Sequence, residues 1–92
     1  MNRTQRMHAL LAVLQPTQIE ITDDSHLHAG HVGAREGGGH YRLKIVSAQF
    51  AGMTTLARHR MLYSVLGEMM KHEIHALNIT AWTPEEIKLY SH

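Results

Sequence analysis

The chain contains no cysteine, which excludes a disulfide framework and a thiol nucleophile. A metal bound by its imidazoles must be held through nitrogen, and any sulfur must come from elsewhere. Charge of one sign is not in excess either. Lys plus Arg number 9 against 8 for Asp plus Glu, a formal net charge of +1, so no strong field advertises nucleic acid or an anionic membrane. Aromatic residues are few, with one Phe, one Trp and three Tyr, and no cluster of them suggests a base-stacking platform. No apolar run approaches the roughly 18 residues of a membrane span. Nucleophile elbows, P-loops and paired-carboxylate sites are missing as well, so no enzymatic reading finds support. Asp24, Ser25 and His26 are adjacent in sequence, which is not triad geometry.

What the chain has in abundance is histidine, nine in 92 residues. His26, His28, His31 and His40 lie in or beside a Gly-rich stretch, while His59, His72 and His75 lie in the second half. The two groups could meet across a fold. Because imidazole titrates near pH 6.5, roughly, charge and metal affinity should both depend on pH. A chain of 92 residues buries roughly 60 to 65% of its unfolded surface, enough for one core. A single domain over 1–92 is expected; the absence of cysteine is neutral about compartment, while six methionines and a small core fit an intracellular protein, so a cytoplasmic setting is expected. The Arg-bearing, acid-free opening from Met1 to Leu14 has transit-peptide composition, but its apolar positions are those of a packed first helix.

Met7, Leu10, Leu11 and Leu14 follow i, i+3, i+4, i+7, which predicts a helix from about Arg3 to Leu14, stopped before Pro16. Ile19 and Ile21 alternate with polar neighbours as in a short strand. Residues 24–39, with triple glycine near their end, read as a long flexible loop without regular structure. In the second strand, from His40 to Ser47, Tyr41, Leu43 and Ile45 share one face, with His40, Arg42 and Lys44 opposite. Thr54 or Thr55 then caps a short helical turn leading to Arg58-His59-Arg60, and the main helix carries Leu62, Val65, Leu66 and Met69. A third strand begins near Ile74, where His75 shares parity with Leu77 and Ile79 and so is expected to point toward the helix-covered face from the strand end. Thr83-Pro84-Glu85-Glu86 is a strong start signal for a last helix. The class is α+β, with a three-stranded mixed sheet, helices on one face and the order αββααβα. Leu10, Leu14, Ile19, Leu43, Ile45, Leu62, Leu66, Leu77 and Ile79 are the expected core.

With this order in place, the sequence resembles the BolA family over nearly its whole length. The resemblance rests on Asp24-Ser25 with His28, on His40-Tyr41-Arg42-Leu43, on Ile45-Val46-Ser47 followed by Phe50 and Gly52, on Arg58-His59-Arg60-Met61-Leu62-Tyr63, and on Ile74-His75-Ala76-Leu77 before Thr83-Pro84. It implies a fold similar to class II KH domains. It also implies an adaptor that partners a monothiol glutaredoxin and shares a [2Fe-2S] cluster, with glutaredoxin cysteine and glutathione supplying sulfur. No cofactor is then expected in the isolated chain, a monomer. By the same resemblance His75 and His28 are the metal ligands; this chain departs from the family pattern in having His26 and His31 beside His28, which are less favoured alternatives in the loop. Some family members are DNA-binding regulators, which makes DNA the alternative partner.

Each of these residues also has a plainer reading. His75 could be a histidine bonded at a helix–strand junction, and the loop histidines a solvated polar segment that takes up metals adventitiously. The Arg58-His59-Arg60 cluster suits phosphate or carboxylate if it lies at a helix start. Otherwise one arginine pairs locally and the other is solvated. A KH-type Gly-x-x-Gly clamp is absent between the helices, since Gly30-His31-Val32-Gly33 lies in the strand-to-strand loop, so RNA binding is disfavoured.

Overall fold

The structure, a computed structural model, describes residues 1–28 and 38–90. Helix α1 spans Arg3–Leu11 and is opened by a capping box in which the Asn2 side chain accepts from the Gln5 N–H and the Gln5 side chain accepts from the Asn2 N–H. Each end of the box satisfies a donor that the first turn leaves open. A 3-10 turn over Ala12–Leu14 follows, and the chain leaves it through Gln15 at φ 50 just before Pro16. Met7, Leu11 and Leu14 are buried, but Leu10 is 41% exposed. Leu10 sits at the margin of the apolar stripe, and Met7 takes the place in the core expected for it.

Strand β1 (Gln18–Asp23) pairs antiparallel with β2 (Gly39–Val46), and β2 pairs parallel with β3 (Ile74–Trp82), giving a mixed sheet with β2 in the centre. Tyr41, Leu43 and Ile45 of β2 are buried, and in register they meet Leu77, Ile79 and Ala81 of β3. The alternate residues Arg42 and Lys44 lie on the open face, as the period of two requires. Ion pairs from Arg42 to Asp24 and from Lys44 to Glu20 span that face.

Helix α2 (Thr55–Leu66) is capped by Thr54, whose hydroxyl accepts from the Ala57 N–H. Arg58-His59-Arg60 is therefore inside the main helix, and no separate short helix precedes it. The short helix comes after it. Gly67, at φ +55, closes α2 in a conformation that side-chain-bearing residues rarely adopt, and a single turn α3 (Met69–His72) follows. The one long helix expected to run on through Met69 is thus two, although the order αββααβα stands. Helix α4 (Pro84–Tyr90) begins where Thr83-Pro84 announces it, with Thr83 and Glu86 bonded reciprocally.

The core joins Met7, Leu11 and Leu14 to Leu43, Ile45, Leu62 and Leu66, with Ile19, Leu77 and Ile79 packed partly buried against them. Phe50, Met69 and Ile74 complete it. Phe50 lies in a 3-10 turn (Ala48–Phe50), and fully buried Ser47 caps that turn while donating to the Leu14 carbonyl oxygen at 2.6 Å. A short, turn-borne segment of this kind carries no period to mark it as core.

Candidate functional site

His75 lies at the beginning of β3, which is an edge strand, and its position differs from the one that parity implies. The ladder pairs Gly39 with Ile74 and then His40 with Ala76, so the register shifts at this point and His75 is the extra residue. Such a residue breaks the in-out alternation. Ile74 consequently faces the core at 3% exposure, and His75 is exposed rather than turned toward the helices.

The backbone around this corner is fastened from outside the sheet. The Glu73 carbonyl oxygen accepts from the Gly39 N–H at 3.0 Å, and the Glu73 carboxylate pairs with the Arg6 guanidinium of α1, with Arg3 nearby at 3.8 Å. The bonds from Arg6 hold the Glu73 carboxyl below its ordinary pKa, against a smaller opposing effect of desolvation. No hydrogen bond from a described residue engages the His75 imidazole. Its ring lies 5.1 Å from the ring of His40, tilted by 45°. His75 also lines a pocket of about 310 Å³ together with Gly38, Met70, Lys71, His72 and Ile74.

The loop histidines divide. His26 is exposed in a 3-10 turn over Ser25–His28, a segment expected to lack regular structure. That turn arises because Asp23 and Ser25 bond the chain locally. The Ser25 N–H donates to the Asp23 carboxylate at 2.9 Å, and the Ser25 hydroxyl accepts from the His40 N–H at 3.1 Å. Hydrogen bonds from Ser25, first from its side chain and then from its backbone N–H, hold the Asp23 carboxyl below its ordinary pKa. Asp24-Ser25 is therefore the fastening of the loop base to β2. His28 ends the turn, but its side chain, like His31 and the rest of residues 29–37, lies outside the described residues. Among the described residues no group of three His, Asp or Glu converges as a metal site.

The Arg58-His59-Arg60 cluster divides, with one arginine paired locally and the other exposed. Arg58 is 8% exposed, and its guanidinium is fully engaged. It donates to the Met53 and Ala81 carbonyl oxygens at 3.0 Å each and forms a two-pronged pair with the Glu86 carboxylate at 2.6 and 3.3 Å. It also lies 5.9 Å from the Phe50 ring centroid, within range of a cation–π contact. Its own N–H bonds to the Thr54 carbonyl, so the cluster begins just past the N–H groups that the helix start leaves open. Arg58 cannot receive an anion without giving up these partners. Arg60 is exposed and His59 half-buried. Glu86, bonded by Arg58 and by the Thr83 N–H, has its pKa pulled down to about 2.

Two features of the site are long-range and escape a reading by local period. One is the register shift that frees His75, and the other is the proximity of His40, 35 positions upstream in the numbering and by its period a residue of the open sheet face. Its place at the very start of β2, next to the glycines, was the available signal.

The comparisons with known proteins agree with this architecture. A family model described as BolA-like protein matches residues 4–86. The chloroplastic BOLA1 protein of Arabidopsis thaliana is 40% identical over 89 residues, covering 92% of this chain and 56% of that protein. The DNA-binding transcriptional regulator BolA of Haemophilus influenzae is 39% identical over 74 residues, covering 80% of this chain and 69% of the regulator. The solved BolA domain of SufE1 from Arabidopsis thaliana superposes with a TM-score of 0.82 at 39% identity, over 94% of this chain and 96% of the domain. The chain spans just over half of plant BOLA1 and 21% of the chloroplastic and mitochondrial SufE-like protein 1. Neither the family description nor these names state a catalytic activity of the BolA-like part, and no described helix is long and apolar enough to cross a membrane. From the match over residues 4–86, the relatives near 40% identity and the shared αββααβα architecture, this chain belongs to the BolA-like family.

Proposed function

We propose that this chain is a non-enzymatic adaptor that binds a monothiol glutaredoxin and shares a [2Fe-2S] cluster with it, in iron–sulfur cluster assembly, trafficking or iron regulation. The observation that carries the reading is His75, an exposed imidazole outside the strand ladder and beside an open pocket. The donor chemistry fits, since neutral imidazole binds iron and mixed nitrogen–sulfur ligation occurs on [2Fe-2S] centres. One imidazole is far short of a coordination shell. The partner's thiolate and glutathione complete it, together with a loop imidazole, His28 or else His26 or His31. The isolated chain then carries no cluster, and the cluster is cargo held between two proteins. A cytoplasmic setting is part of the same proposal.

The test is ultraviolet–visible absorption and circular dichroism of the chain mixed with a glutaredoxin, iron, sulfide and glutathione. His75→Ala abolishes or strongly alters the heterodimer's spectrum while the fold persists, and His28→Ala weakens it less if His26 or His31 substitutes. The glutaredoxin's own sulfur-held cluster is the control. An unchanged spectrum in His75→Ala would refute the reading at its central residue.

A second reading, a DNA-binding regulator, is favoured by the likeness to the DNA-binding transcriptional regulator BolA of Haemophilus influenzae. Its surface here rests on Arg60 and His59, because Arg58 is committed to Glu86 and two carbonyls. Salt-dependent affinity for duplex DNA that falls in Arg60→Ala supports it. Binding that ignores Arg60 removes this site.

A further inference from the structure

His75 is the residue that the sheet itself does not orient. In a regular strand the alternation of the ladder sets which way a side chain points, but the register passes from Gly39–Ile74 to His40–Ala76 and leaves His75 without a place in it. Exposed on an edge strand, such a side chain would sample several staggered rotamers. Two neighbours lie against this side chain. At the root of the side chain, a Cβ on Gly38 would lie 2.7 Å from the His75 Cβ, closer than real Cβ atoms approach, so the bare Gly38 backbone is seated against His75. At the tip, the His40 ring meets the His75 ring at 5.1 Å and 45°, within the range of tilted aromatic contacts.

We propose that Gly38 and His40 are positioning residues that clamp the His75 imidazole in one rotamer, so that it meets a metal already oriented. The inference rests on the reading of His75 as the cluster ligand. Its physical basis is that a ligand held in its bound direction loses less freedom on coordination, and that loosening such support weakens metal sites. Glycine is required at 38 for close approach, and an aromatic ring at 40 for the face it presents. The clamp stands on α1 through Glu73, whose carbonyl takes the Gly39 N–H and whose carboxylate takes Arg6.

The experiment compares the full chain with His40→Ala, His40→Phe, Gly38→Ala and His75→Ala. Three-bond couplings measured by NMR give the χ1 populations of His75 without any metal present, and titration of cluster formation with a monothiol glutaredoxin and glutathione gives affinity. One dominant rotamer is expected in the wild type and in His40→Phe, with averaging in His40→Ala. Cluster affinity falls about tenfold in His40→Ala and recovers in His40→Phe. Gly38→Ala shifts the His75 populations in the same experiment, and because it also strains the backbone the His40 pair carries the decision. Retention of one rotamer in His40→Ala overturns the clamp. So does a His40→Phe protein as weak as His40→Ala, which would make the nitrogens of His40, and not its ring, the active feature. If His75→Ala itself forms the normal cluster, the cluster reading fails, while the NMR populations still decide whether the clamp exists.

Discussion

Arg58 and His75 are both charged or chargeable side chains that the sequence marks for function, and the structure treats them in opposite ways. Arg58 is buried and every face of its guanidinium is used, by two backbone carbonyls, a carboxylate and an aromatic ring. His75 is exposed, out of register, and bonded by no described residue. Arg58 ties α2 to the end of β3 and the start of α4, whereas His75 is held in direction and left open in chemistry. The contrast teaches that a polar motif becomes a binding site only where the fold has not already satisfied it. Buried polar groups are bonded as a rule, so the unsatisfied and exposed one carries the information.

Exchanging the two regions' properties should fail in either direction, which sets the largest expected effect. His75→Ala eliminates the shared-cluster spectrum but moves stability by less than about 0.5 kcal/mol, as exposed substitutions do. A matching loss of thermal stability would show that His75 is structural and erase the contrast. Arg58→Ala reverses the pattern. It deprives the Met53 and Ala81 carbonyls of their donor, at about 1 to 3 kcal/mol for each acceptor left buried and unpaired, and it frees Glu86. Urea titration should place this variant near Leu66→Ala, a core deletion expected to cost about 2 to 5 kcal/mol at a side chain that is 1% exposed. A fully stable Arg58→Ala protein would restore Arg58 as a candidate anion site.

A smaller effect is read in acid. The folded-state pKa of Glu86 is lowered to about 2, mainly by the bond from Arg58, so between that value and the ordinary carboxylate range the unfolded chain binds more protons. Glu86 therefore contributes its full stabilisation above about pH 4.5 and loses it as pH falls toward 2. Glu86→Gln should flatten stability against pH in that window, leaving the part of the slope due to Glu73 and Asp23, which are lowered by their own partners. An unaltered acid limb would place the acid sensitivity elsewhere. The smallest change is Arg60→Ala, which should leave stability within about 0.5 kcal/mol and lower only the salt-dependent affinity for DNA, if DNA is a ligand.

Much of this was legible in the chain, for local reasons. The alternation of Tyr41, Leu43 and Ile45 predicts the central strand, and the Leu62–Leu66 stripe predicts the helix above it, because burial on one face repeats with the period of the element. Thr83 and Glu86 announce α4, since a capping box needs only residues three apart. Apolar period alone does not settle burial. Leu10 shares the helical period yet is 41% exposed, Phe50 is buried with no period to mark it, and Gly67 breaks the helix because a glycine inside a helical pattern is tolerated until tertiary packing requires a positive φ.

By itself the sequence determined the class of fold, the absence of thiolate chemistry and the concentration of imidazole near two chain segments, because composition and short periods act within a few residues. Only the tertiary structure decided which of those groups is open. Arg58 is closed by Glu86, 28 positions away, and His75 is opened by a register shift against Gly39 and His40 and aimed by residues 35 to 37 positions away. Burial, register and ring contact are properties of packing between distant segments, and no local pattern encodes them.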